Sequence, residues 1–148
     1  MVNGNPVVTM IENFIKIFFA LLLGGLLGAE RGKAGKAAGL RTYILVTVAA
    51  TAFTLISKQA NTYFESANYD PGRLLSQVVV GIGFIGAGII IYQREHIKGL
   101  TTAAGLWIAT AIGMLVGIGA YLMAILLTLI SYITLAYFIK IEDVIEKE

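Results

Sequence analysis

Two groups of polar side chains stand at the edges of long uncharged runs, and they hold what chemistry the chain can offer. The first is Asp70 with Pro71, Arg73 and Gln77, in the string DPGRLLSQ. Arg73 and Gln77 follow Asp70 by three and seven positions, so on a helix the three share a face. A carboxylate placed there, at the rim of a bundle, would bind a cation or touch a partner. Arg73 would hold it in place or reach the headgroups by snorkelling. The plainer role for Asp70 is a helix cap, with Pro71 as first helical residue, worth about 1 kcal/mol. Gln77 lies deeper, where polar side chains face the bundle interior, and an interhelical hydrogen bond is expected of it. The second group is Glu30, Arg31 and Arg41. Glu30 is expected to bind Arg41 or Arg94 in a structural salt-bridge cluster. The alternative is an interfacial charge that marks the end of a span.

Several chemistries are excluded. Gly81, Gly83 and Gly86 satisfy G-x-G-x-x-G, but their flanks are apolar over a membrane's thickness and positions 101–106 read TTAAGL. A dinucleotide site needs a feeding strand and an acidic residue about 20 positions on, so that reading is rejected. There are no cysteines and one histidine, His96, so thiolate chemistry and a histidine-rich metal site are out of reach. Mg²⁺ asks for octahedral oxygen coordination, and Asp70 is the one carboxylate to consider, alone at its rim. No metal site, cofactor or enzymatic activity is therefore expected, since no nucleophile–base pair appears either. A formal charge of +2 does not suggest nucleic-acid binding.

The elements that must position these residues are membrane helices. Of 148 residues, 57% are hydrophobic and 14% charged, against about 25% charged in soluble domains. The spacing of charges predicts an all-α, polytopic transmembrane bundle, a single domain over 1–148 with no soluble part. Its five spans are expected at about 11–29, 42–57, 71–92, 101–118 and 120–139. The first lacks a positive start and a small-residue cleavage site, so it reads as a retained span rather than a signal. Glu12 and Lys16 are expected to pair on its surface. The third, 70–92, is expected to organise the bundle, and residues 93–100 to form a short turn. Apolar sequence from 102 to 139 is too long for one crossing, and the break is expected within 117–121.

Lys and Arg number eight in the loops of one set (31–41, 93–100 and the tail) and two in the other. The positive-inside rule then places the N-terminus outside and the C-terminus in the cytoplasm. Asp70 and Arg73 fall at the outer face, Glu30, Arg31 and Arg41 at the inner. The basic 31–41 loop is expected to touch anionic lipid. GLRT at 39–42 and GLTT at 99–102 are offset by sixty residues, which suggests two hairpins of the same sense repeated about the membrane normal. Gly24 and Gly28, Gly81, Gly83, Gly86 and Gly88, and Gly113 and Gly117 are expected to serve close helix packing, and one such face to form a homodimer or other homo-oligomer. Trp107 is assigned to packing or an intersubunit contact.

The strings GGLLGAERG (24–32), AGLRTYILV (38–46), DPGRLLSQVVVGIGFIGAGIII (70–91) and KGLTTAAGLW (98–107) are similar to the MgtC/SapB family of bacterial inner-membrane proteins. The family's DPxR motif falls on Asp70, Pro71 and Arg73. The resemblance implies a multi-pass protein of the inner membrane, associated with magnesium limitation and, in some members, with survival in macrophages. It also implies a regulator of a membrane partner, with the F-type ATP synthase and membrane potential as the example. Members often carry a soluble C-terminal domain, whereas here nine residues follow the last expected span. Two functions are thus weighed. One is a regulatory protein that associates through its helices, and the other an ion-permeation protein or transporter entered at Asp70, Arg73 and Gln77.

Overall fold

A computed structural model describes residues 6–64, 70–93 and 96–145. It contains five helices: α1 (Pro6–Lys33), α2 (Leu40–Phe64), α3 (Pro71–Ile89), α4 (Leu100–Ile118) and α5 (Tyr121–Ile145). All five are long and apolar enough to cross a membrane. α1, α2 and α5 run well past their expected ends, because Pro6 suits a first turn and nothing in 58–64 or 140–145 breaks a helix. At its 28 residues α1 is about 42 Å long at ~1.5 Å per residue, so it tilts or projects beyond the hydrocarbon.

Helix ends follow local chemistry. α1 stops at Gly35 (φ 63°), where Lys36 N–H bonds to Arg31 carbonyl and Gly35 N–H to Gly32 carbonyl, both at 3.1 Å. The expected break after α4 is Gly119 (φ 92°), with the same paired bonds from Ala120 to Leu115 and from Gly119 to Val116. Both are left-handed caps that an L side chain would strain. α3 ends three residues earlier than the sequence suggests. The β-branched run Ile89–Ile91 favours extended backbone, and Ile90 takes φ −77°, ψ 117°. Ile91–Gln93 (β1) then pairs antiparallel with His96–Lys98 (β2), so the expected turn is a short hairpin instead.

The packing centres on α4, not on α3. α4 touches all four other helices and half of its span is buried, whereas α3 touches α2 and α4 and is almost all exposed. α2 and α4 run parallel, with Tyr43 against Gly105 and Thr54 against Gly117, α1 and α3 run antiparallel to them, and α5 packs against α1 and α4. The two hairpins, α1–α2 and α3–α4, therefore have the same sense. Their starts match as well: Tyr43 N–H bonds to Gly39 carbonyl, and Ala103 N–H to Gly99 carbonyl, sixty residues on.

Polarity is distributed as a bilayer demands. Phe14, Phe18, Leu122, Met123 and Ile130 face outward, while Thr47, Thr51, Thr54, Thr110, Thr128 and Ser131 are buried. With lipid outside there is no gain in hiding apolar side chains, so the interior goes to close contact and hydrogen bonds.

Candidate functional site

At the Asp70 end, the DPxR residues form a helix start. Asp70 (φ −103°) accepts a 2.8 Å hydrogen bond from Gly72 N–H through Oδ1, and Pro71 opens α3. Ser57 on α2 donates to Pro71 carbonyl at 2.7 Å and ties this end to the bundle. Arg73 is exposed and makes no ion pair with Asp70 among the described residues. Gln77 is also exposed, and the expected interior hydrogen bond is not formed among the described residues. The reason is rotational: α3 buries Ile82 and Gly86 against α4, and Gln77 lies on nearly the opposite side.

That opposite side is a continuous stripe. Asp70, Arg73, Gln77, Gly81, Phe84 and Gly88 recur at helical spacing, and all are exposed, Phe84 by 84%. A Cβ on Gly81, Gly83 or Gly88 would meet nothing within 4 Å, so these glycines do not pack inside the chain as expected. The other glycines do. A Cβ on Gly24 would come within 2.9 Å of Thr47 Cβ, and one on Gly28 within 2.8 Å of Leu40 Cα. Gly86 contacts Ala103 across α3–α4. Gly113 and Gly117 seat against α2, at Thr47 and Ala50 and at Thr51 and Thr54. Two packing glycines were missed from the sequence: Gly99, where a Cβ would meet the Ile89 carbonyl, and Gly105, where it would land on Tyr43 Oη. For Gly105 the signal was present in the four-residue spacing of Gly105, Ala109, Gly113 and Gly117.

At the Glu30 end, the chain gathers buried polar atoms. Arg31 is 2% exposed, and its Nε lies 3.5 Å from Glu30 Oε2. Glu30 therefore pairs with its own neighbour, not with Arg41, which is exposed; Arg94 lies outside the described residues. Arg31 Nη1 donates a long 3.5 Å bond to Leu135 carbonyl on α5. Among the described residues Tyr43 Oη is buried without a hydrogen-bond partner, and Glu30 Oε2 and Arg31 Nε, buried too, have only their mutual ion pair. Such atoms cost about 1–3 kcal/mol each, and each needs a reason to persist. Beside them opens a pocket of about 210 Å³ lined by Arg31, Lys36, Gly99, Thr101, Thr102, Thr134, Leu135 and Phe138.

Between the two ends runs a column of hydroxyls on α2. Thr47, Thr51 and Thr54 donate to the carbonyls of Tyr43, Thr47 and Ala50, and Thr51 also reaches Gly113 carbonyl at 2.8 Å. Lys16 on α1 is 8% exposed, with Lys58 and Glu12 as its charged neighbours, so it is buried rather than paired with Glu12 on the surface. Trp107 is half-exposed on the outer surface of α4. No group of three or more His, Cys, Asp or Glu among the described residues could hold a metal ion.

Comparison with known proteins gives concordant matches. The profile of the MgtC family covers residues 17–144. YhiD of Escherichia coli K12, named as a proposed magnesium transporter, is 39% identical over 130 residues, 86% of this chain and 60% of that protein. The protein MgtC of Salmonella typhimurium LT2 is 40% identical over 121 residues, 82% of this chain and 50% of that protein. A protein of Haemophilus influenzae without an assigned role is 34% identical over 146 residues, 91% of this chain. The chain spans between half and about three fifths of these relatives' lengths. No solved structure matches it.

Proposed function

Because the chain belongs to the MgtC family, we propose that it is a regulatory protein of the bacterial inner membrane that docks through the outward stripe of α3 onto another membrane helix. The observation that carries this reading is Gln77, Gly81 and Gly88 lying together, exposed, on a helix in lipid. An amide facing hydrocarbon is costly, and glycines that pack against nothing within the chain leave room for a second backbone to approach. α5 packs against both α1 and α4, and no described helix besides α4 packs in the corresponding way against both α3 and α2. A partner helix fits there. The partner is a second copy of this chain or a larger membrane complex, with the F-type ATP synthase the one to test first.

The test compares Gly81→Leu and Gly88→Leu with the parent chain. Both should keep their helicity in detergent, since the added side chains meet open space. Crosslinked complexes recovered from native membrane should be lost in both. If ATP-driven proton pumping by inverted vesicles does not change at high expression, the ATP synthase is not the target. Crosslinking unaffected by either leucine removes the α3 stripe as the docking face.

A second reading, ion permeation or transport, is favoured by the name YhiD carries and by the buried hydroxyl column on α2. Proteoliposomes that pass no Mg²⁺, H⁺ or K⁺ would eliminate it. Flux that Thr51→Val abolishes would promote it.

A further inference from the structure

The pocket at the Glu30 end is polar on two sides and carries positive charge. Two cationic side chains line it, Arg31 from the end of α1 and Lys36 from the loop that follows. Arg31 is almost completely buried, and among the described residues its Nε has the Glu30 ion pair at 3.5 Å but no hydrogen bond, while its Nη1 makes one long contact. A guanidinium has five N–H donors, so most of this one's capacity is unused by the protein. Glu30 offsets part of the charge from the Nε side, and Lys36 restores the balance toward positive.

The opposite wall is the start of α4. Gly99, Thr101 and Thr102 line the pocket, and Gly99 offers no side-chain cap to the first turn. The first N–H groups of this helix have no side-chain cap from Gly99, and a helix start carries the positive end of the dipole. The hydroxyls of Thr101 and Thr102 add two donors, while Thr134 already donates to Ile130 carbonyl. At about 210 Å³ the space is below the roughly 300–1,000 Å³ of drug-sized sites but ample for one tetrahedral oxyanion with a few waters. Leu135 and the half-exposed Phe138 form an apolar side on α5.

We propose that this pocket binds a phosphate group through Arg31, Lys36, the two threonine hydroxyls and the N-terminus of α4. The group is carried on an anionic phospholipid headgroup or free as inorganic phosphate. The ligand supplies acceptors for the guanidinium donors that Glu30 and the Leu135 carbonyl leave unused, which explains why a cation stays buried at the edge of a membrane bundle. It is distinct from diffuse attraction of the basic loop to a lipid surface, because Lys33 and Arg41, equally basic, are exposed and do not line the pocket.

The full chain is placed in nanodiscs of phosphatidylcholine, with or without phosphatidylglycerol. Inorganic phosphate is titrated by calorimetry into the first set, with chloride as control, and lipid retained by the second is read by native mass spectrometry. Phosphate binding in the zwitterionic discs assigns the free anion, and selective retention of phosphatidylglycerol assigns the headgroup. Lys36→Gln should weaken whichever binding is seen about tenfold, one charged contact's worth, and Arg31→Gln at least as much. Lys33→Gln should leave it unchanged. Lys36 sits in a loop, so its variant reports on binding even where Arg31→Gln fails to fold. Neither ligand bound above its control, or Lys33→Gln as damaging as Lys36→Gln, overturns the proposal.

Discussion

Tyr43 and Gly105 show how one contact decides between two readings of a residue. The phenol is buried among α1, α2 and α4, its oxygen unpartnered and directed at the place where Gly105 lacks a side chain. Gly105→Ala should destabilise the bundle by about 1–3 kcal/mol, as overpacking does. Adding Tyr43→Phe to that variant should recover part of the loss, since the atom in conflict is the hydroxyl. Tyr43→Phe alone should be neutral to stabilising in denaturant unfolding in detergent, because a buried hydroxyl without a partner returns nothing for its desolvation. A large loss on that single change would mean that the oxygen holds a bond in the membrane. Asp70 makes a second case. Asp70→Ala should cost about 1 kcal/mol and Asp70→Ser much less, because serine also caps. A cation site would be damaged equally by both, so thermal unfolding of the pair separates the two roles.

α3 and α4 are each helices of 19 residues, yet their environments are opposite. The four-residue spacing of Gly105, Ala109, Gly113 and Gly117 gives α4 a flat side onto which the α2 threonines close. α3 has more glycines, five against three, but arranges them around the helix, so that of the four beyond its first turn Gly86 alone meets a neighbouring helix while Gly81, Gly83 and Gly88 stay open. A cysteine-free chain makes this directly testable. A Cβ on Gly86 would sit 3.5 Å from Ala103 Cβ, within the disulfide range of about 3.5–4.5 Å. Gly86→Cys with Ala103→Cys should crosslink within one chain on mild oxidation, seen as a mobility shift on a non-reducing gel. Gly83→Cys with Ala103→Cys should not. Crosslinking in the second pair would mean that α3 is rotated from the position described.

At the scale of the whole molecule, five alternating crossings put Glu30, Gly39, Gly99 and Leu135 at one end and Ser57, Asp70 and Gly119 at the other. The loop charges predict that the first end is cytoplasmic. A reporter fused after Phe138 should be active in the cytoplasm and silent outside; the reverse would turn the pocket at Arg31 and Lys36 outward. The number of spans, the α4–α5 break and the capping role of Asp70 were legible in the sequence, because chain length, hydropathy and caps act over a few neighbouring residues. The repeat of GLRT and GLTT was legible too, and the two parallel hairpins accord with it. Which way each helix is turned was not, for a glycine or a glutamine reads the same whether it faces a neighbour or lipid. Only the packing of α4 against every other helix set that rotation, turned Gln77 outward, and brought Arg31 and Lys36 to the start of α4. These contacts join residues up to about a hundred positions apart, such as Arg31 and Leu135, and in lipid they depend on close fit rather than on a hydrophobic stripe that could be read in advance.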